Sequence, residues 1–129
     1  MKVKLENSFL KISLVDKGAE LKSVIRKDSN QEYMWSGDPS IWGKTSPILF
    51  PIVGTLKNNT YTFNNISYQL ARHGFARDCV FEIETQAEDR AVFLLKSNPE
   101  TFENYPFHFE LRVTYSIEKD ILRVDYQIK

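Results

Sequence analysis

Cysteine is almost missing from this chain: Cys79 is the one thiol in 129 residues. One thiol excludes an internal disulfide. Cys79 sits beside Asp78 with no assured cationic neighbour, so a reactive thiolate is not expected there. Net charge is missing as well. The 17 basic and 17 acidic residues cancel and are interspersed, which leaves no basic face for nucleic acid. No apolar run approaches the ~20 residues of a membrane helix, so no membrane partner is expected. The opening MKVKLENSFLKISLVD alternates and carries charge, unlike a signal peptide. The expected location is the cytoplasm, and the sequons at Asn58 and Asn65 then read as turn chemistry. Histidine is scarce, with only His73 and His108. No pair stands at metal-ligand spacing, and there is no Walker loop or nucleophile elbow. No metal site is expected.

What the chain does have is alternation. Its 42% hydrophobic and 26% charged residues describe a globular chain, and its length suits one domain. Phe107, Phe109, Leu111, Val113, Tyr115 and Ile117 alternate with His108, Glu110, Arg112, Thr114 and Ser116, which predicts a long half-buried strand. A turn at Glu118-Lys119-Asp120 leads to a second, antiparallel strand carrying Leu122, Val124, Tyr126 and Ile128. Leu10, Ile12 and Leu14 form an earlier strand, followed by a turn at Asp16-Lys17-Gly18 and a strand over 21–25. Tyr61–Phe63 and Ile66–Tyr68 flank Asn64-Asn65 as a hairpin. Val80–Thr85 and Ala91–Leu95 make another pair. Helical signals are limited to single turns at Asp38-Pro39 and Asn98-Pro99. Many short strands at this spacing predict an all-β antiparallel sandwich or barrel. The strand pattern runs on to Lys129 without a cap, an open apolar edge that natural folds cover. It points to a piece of a longer protein, or to pairing with another copy or a missing half.

Two stretches stand apart from the alternation. Residues 33–54, YMWSGDPSIWGKTSPILFPIVG, hold both tryptophans, three of the five prolines and three of the five glycines. Prolines remove ladder donors, so this is a structured loop. Trp35 and Trp42 there serve either as a sugar platform or as a lid on the core, and composition alone favours packing. The second stretch, LARHGFARD at 70–78, crowds Arg72, His73 and Arg77 around Gly74. It is either a turn whose arginines pair with Asp78 and Glu82, or a binding site offering an imidazole and two guanidinium forks. His108, on the polar face of its strand, reads as an exposed surface histidine.

Four ordered stretches resemble the aldose 1-epimerase (galactose mutarotase-like) family, in its LacX-like and hexose-6-phosphate mutarotase-like branch. They are Gly18-Ala19-Glu20-Leu21, Trp35–Pro39 with Trp42, Pro47–Gly54 and His73–Arg77; Tyr105-Pro106-Phe107 also fits. The resemblance implies the antiparallel supersandwich of sugar mutarotases, with residues 1–129 as the amino-terminal portion of one such domain. It implies a sugar or sugar phosphate as ligand and the interconversion of α and β anomers by acid–base ring opening, with no cofactor. It assigns substrate binding to His73 and Arg77, with Trp35 and Phe50 walling the site. Thr55 stands where some relatives carry arginine. The family's principal catalytic histidine and glutamate are expected beyond Lys129, so the catalytic acid and base are not assigned within this chain. A non-catalytic carbohydrate-binding or sensing module on the same fold is the alternative, and an interaction domain with a mere turn at His73 is the third reading.

Overall fold

The structure, a computed structural model, describes residues 1–129. Its first sheet is an antiparallel meander of β1 (Lys2–Glu6), β2 (Leu10–Val15), β3 (Glu20–Arg26) and the short β4 (Gln31–Glu32), in that spatial order. A separate hairpin joins β5 (Thr60–Phe63) to β6 (Ile66–Gln69). Asn64 and Asn65 turn it at φ 48° and 60°, a conformation that asparagine tolerates better than most residues. The second four-stranded sheet has the order β10-β9-β8-β7, built from β7 (Glu82–Gln86), β8 (Arg90–Lys96), β9 (Glu110–Glu118) and β10 (Ile121–Ile128).

Period-two patterning sets which face of each strand turns inward. On β1, Val3 and Leu5 are fully buried between exposed Lys2, Lys4 and Glu6. On β9, Leu111, Val113, Tyr115 and Ile117 are buried, and Phe109 extends the same row. β1 packs on β8 and β9, so the sheets stack face to face around Leu5, Ile12, Leu14, Phe93, Leu111 and Val113. Burying a side chain such as Phe93 contributes roughly 1.5–3 kcal/mol. The Tyr115 hydroxyl donates to the Ala19 carbonyl at 2.7 Å, tying β9 to the turn before β3.

The middle strand β8 is buried on both faces, since Val92 and Leu94 are covered as well as Ala91, Phe93 and Leu95. Across its outer face, Arg112 of β9 grips Glu84 of β7, with Nη2 2.8 Å from Oε1. That grip draws the carbon stems of both side chains over the strand between them.

Several details differ from the sequence reading. β9 begins at Glu110, not Phe107, because the Phe107 N–H folds back to the Tyr105 carbonyl at 2.8 Å. β7 begins at Glu82, and Val80 makes only an isolated bridge to Lys17. Asn98-Pro99 starts more than a single turn: α1 (Pro99–Asn104) follows a capping box between Asn98 and Thr101. The single turn expected at Asp38-Pro39 is present, with Asp38 as its cap. Its carboxylate accepts from Ser40 N at 2.9 Å, and its carbonyl from Trp42 N at 2.8 Å.

Candidate sugar-binding site

The site residues lie on the segment that joins the two sheets. Gly74 bends the chain at φ +70°, and its backbone bridges Phe50. A Cβ at this position would stand 2.2 Å from the Phe50 carbonyl oxygen, closer than any side chain allows, so only glycine fits. The same carbonyl accepts from the N–H of Phe75 at 2.9 Å and of Ala76 at 3.1 Å. The Phe50 ring is turned inward, against Phe109 at 5.1 Å and Phe75 and Tyr105 at 6.2 Å each. Phe50 therefore shapes the site through its main chain and the aromatic cluster behind it.

His73 follows the same logic from the other side of Gly74. Its backbone is also left-handed, at φ 64°. The His73 N–H donates to the Gly54 carbonyl at 2.9 Å, and the Gly54 N–H donates to His73 Nδ1 at 2.8 Å. A backbone amide is always a donor, so Nδ1 holds the lone pair and Nε2 holds the proton of the neutral ring. Loss of solvent contact, with Arg72 and Arg77 beside it, pushes the imidazole below its ordinary pKa. Arg72 Nε lies 3.2 Å from His73 Nε2. One neutral imidazole has one lone pair, already taken by Gly54. The Arg72 contact is then a close approach of two N–H donors rather than a second hydrogen bond to the ring.

Arg77 curls back over the turn, with Nη2 donating to the Arg72 carbonyl at 3.1 Å. Its Nε is buried without a hydrogen-bond partner, 3.8 Å from Asp78 Oδ2. A buried donor left without an acceptor costs about 1–3 kcal/mol. The surface-turn reading had the arginines paired with Asp78 and Glu82. Of these pairs the structure has Arg77–Asp78, at 3.8 Å, with Asp78 held more closely by Lys44, at 3.2 Å; no ion pair engages Glu82 or Arg72. That Lys44–Asp78 contact also docks the tryptophan loop on the turn. Within the loop, Trp35 Nε1 donates to the Trp42 carbonyl at 2.9 Å, and both rings stay partly exposed. No hydrogen bond or ring contact joins Trp35 to His73 or Arg77.

Three features were given no such role by the sequence, although Gly54 and Glu20 lie in stretches that carry the family resemblance. Gly54 clamps His73 through its backbone alone. Glu20 is 7% exposed and holds the loop at its carboxylate, accepting from the N–H groups of Thr45 and Ser46 and from the Thr45 hydroxyl. Burial pushes its carboxyl up, but these donors outweigh burial and hold it below the ordinary carboxylate value. A register shift at Ser13/Leu14 leaves Lys22 as an extra residue in β3; Glu20, on the face opposite Leu21, is buried under the Thr45–Ser46 segment. Finally, a cavity of about 330 Å³ flanks the turn, lined by Asn59, Gln69, Asn104 and Phe75 among others, and not by His73 or Arg77. Its amides are ordinary turn and strand-end residues in the sequence.

Elsewhere, His108 is exposed and packs edge-on against Phe102 at 4.7 Å. Burial pushes the Cys79 thiol up, which leaves it protonated and inert at neutral pH. No cluster of three or more His, Cys, Asp or Glu side chains is gathered to hold a metal. No helix is long and apolar enough to cross a membrane.

Known proteins share this fold. The chain is 35% identical to the LacX protein of Lactococcus lactis subsp. lactis over 99% of its own length and 44% of that protein. The structure of a galactose mutarotase related enzyme from Lactobacillus acidophilus superposes with a TM-score of 0.97 at 43% identity, over 99% of this chain and 43% of that one. A galactose mutarotase-like protein from Lactobacillus casei gives 0.95 at 35% identity, over 99% and 44%. The chain thus spans less than half the length of the relatives it matches. The family model for aldose 1-epimerase matches residues 1–129: the chain belongs to the aldose 1-epimerase family and has its galactose mutarotase-like, antiparallel β fold.

Proposed function

We propose that this chain is the amino-terminal portion of a mutarotase-like β-sandwich and forms part of the sugar cleft of a cytoplasmic aldose 1-epimerase-like isomerase. The reaction interconverts the α and β anomers of an aldose or sugar phosphate. One group protonates the ring oxygen, another takes the proton of the anomeric hydroxyl, and the opened aldehyde rotates before the ring closes. The observation that carries the reading is the Gly54 clamp on His73 Nδ1, which leaves Nε2, 3.2 Å from Arg72 Nε, as the ring nitrogen free to meet a sugar oxygen. His73 donates to a sugar oxygen near the reacting centre, and Arg77 holds a hydroxyl or phosphate oxygen. Trp35 and the 50–54 segment wall the cleft. His73 is neutral with its lone pair occupied, so it serves as a donor rather than as the base. The acid and base belong to the part of the enzyme beyond this chain.

A non-catalytic sugar-binding module is the second reading. It is favoured by one observation: the charged groups that shift His73 are both cations, with no carboxylate among them. NMR titration and anomer-exchange measurements with α-glucose, α-galactose and hexose 6-phosphates separate the two. Shifts centred on His73 and Arg77, lost in His73→Ala, with little acceleration by the 129-residue chain, are expected. Fast anomer exchange by this chain, lost in His73→Ala, places the chemistry here instead. Sugar binding without acceleration, even when the remaining half of a relative is supplied, makes the chain a binding module. No response at His73 to any of these sugars removes the site.

A further inference from the structure

Arg77 and Arg112 meet their acidic neighbours in opposite ways. Glu84 takes Arg112 by Nε at 2.9 Å and by Nη2 at 2.8 Å, and Glu110 takes Nη1 at 2.7 Å. This fork-on-carboxylate grip is what a guanidinium adopts when a carboxylate is free to turn to it. Arg77 has a carboxylate on the next residue, yet it makes a single hydrogen bond, from Nη2 to the Arg72 carbonyl at 3.1 Å. Asp78 Oδ2 stands 3.8 Å from Arg77 Nε, beyond hydrogen-bond reach, and Nε is left buried without an acceptor. An approach of about 1 Å by Asp78 would satisfy it.

Lys44 holds Asp78 back. Its Nζ lies 3.2 Å from Asp78 Oδ1, and it pairs with no other carboxylate. The backbone that carries Lys44 is fixed, because the N–H groups of Thr45 and Ser46 both bond Glu20 Oε1. The Lys44 side chain is 29% exposed and that of Asp78 61%, so the lysine is the better anchored of the two and decides where the carboxylate sits.

We propose that Lys44 is a positioning residue for the cleft: by drawing Asp78 to itself, it keeps the Arg77 guanidinium unpaired and able to hold a ligand oxygen. The proposal rests on the reading of Arg77 given above. Its logic is competition. A carboxylate closed on Arg77 must be displaced before a hydroxyl or phosphate oxygen can bind, and its charge repels a phosphate. Lys44 removes that competitor and adds a positive charge beside the turn.

NMR of the arginine Nε–H groups, and titration with galactose and glucose 6-phosphate, test it on the 129-residue chain and three variants. In Lys44→Met, Asp78 closes on Arg77. The Arg77 Nε–H resonance then moves downfield, and affinity for the probe that binds falls roughly two- to fivefold, the range of a partly exposed ion pair. Lys44→Arg keeps both wild-type values. Lys44→Met combined with Asp78→Ala restores both, because the competing carboxylate is gone. An Arg77 resonance that stays in place in Lys44→Met overturns the proposal. So does an affinity loss that the double variant fails to restore, which would make Lys44 only a fastening of the tryptophan loop. The resonance is read without ligand, so the two readings fail separately: a wild-type chain that binds neither probe removes the sugar reading of Arg77, while the resonance still decides whether Lys44 holds Asp78 off.

Discussion

His73 and Gly54 hold each other twice: the Gly54 N–H reaches the imidazole Nδ1 at 2.8 Å, and the His73 N–H reaches the Gly54 carbonyl at 2.9 Å. The pair fixes both the ring plane and the tautomer, and so decides which nitrogen meets a ligand.

The titration of His73 follows from that pair. Protonating Nδ1 would set it against the Gly54 N–H, and the neighbouring arginines oppose the added charge. Long-range ¹⁵N NMR should show the Nε2–H tautomer and a midpoint below the ordinary 6.5. A folded pKa that is depressed means that the folded state binds protons less well than the unfolded one. The stabilising contribution of His73 is then full above pH 6.5 and falls as the pH drops through the folded midpoint. A midpoint above 6.5, or an Nδ1–H tautomer, would contradict the geometry.

Gly74→Ala should destabilise the chain by about 2–4 kcal/mol, a loss of left-handed backbone plus overpacking against a carbonyl that cannot retreat. The added Cβ meets Phe50 O at 2.2 Å and Phe50 C at 2.5 Å, both backbone atoms. Urea unfolding measures the shift in midpoint. An unchanged midpoint would mean that the Phe50 strand moves freely, and with it the backbone floor of the site.

Glu20→Gln should cost about 1–3 kcal/mol at neutral pH, since the charged acceptor of three donors is replaced by a neutral one. The folded Glu20 carboxyl lies below its ordinary value of 4.5. Its contribution is therefore present above pH 4.5 and is lost as the pH falls through the folded value. Unfolding curves of the two proteins should converge as the pH drops below 4.5. A gap that stays constant down to pH 3 would show that the carboxylate charge is not what holds Thr45 and Ser46.

Where sequence and structure agree, the signal was local. The row Phe109–Ile117 alternates within one strand, and its burial follows that alternation without help from elsewhere. Asn64-Asn65 and Asn98-Pro99 carry their turn and cap chemistry in adjacent residues. The rest depended on partners far along the chain. The mate of Glu20 is Thr45, and Glu20 is buried because the Thr45–Ser46 segment folds over its face of β3. The mate of His73 is a glycine backbone, which has no side chain to notice. Phe50 was expected as a wall of the site. Its aromatic character is spent on the core instead, while its carbonyl does the positioning. The apolar row of β10 was legible, but what covers it is not encoded in the strand itself.

The Tyr115–Ala19 hydroxyl bond joins residues 96 positions apart, whereas every strand in either sheet is bonded to its neighbour in sequence. Each meander therefore assembles on short loops and quickly, and the union of the two comes later, at a larger loop-closure cost. Residues 33–81, with His73, Gly54 and the tryptophans, lie between the meanders and touch the residues of both, Thr45 on Glu20 and Phe50 on Phe109. A sugar that grips His73 recognises the docked arrangement and no earlier one. By mass action its binding raises the apparent melting temperature of the whole chain, and a sugar concentration 100 times Kd contributes about 2.7 kcal/mol.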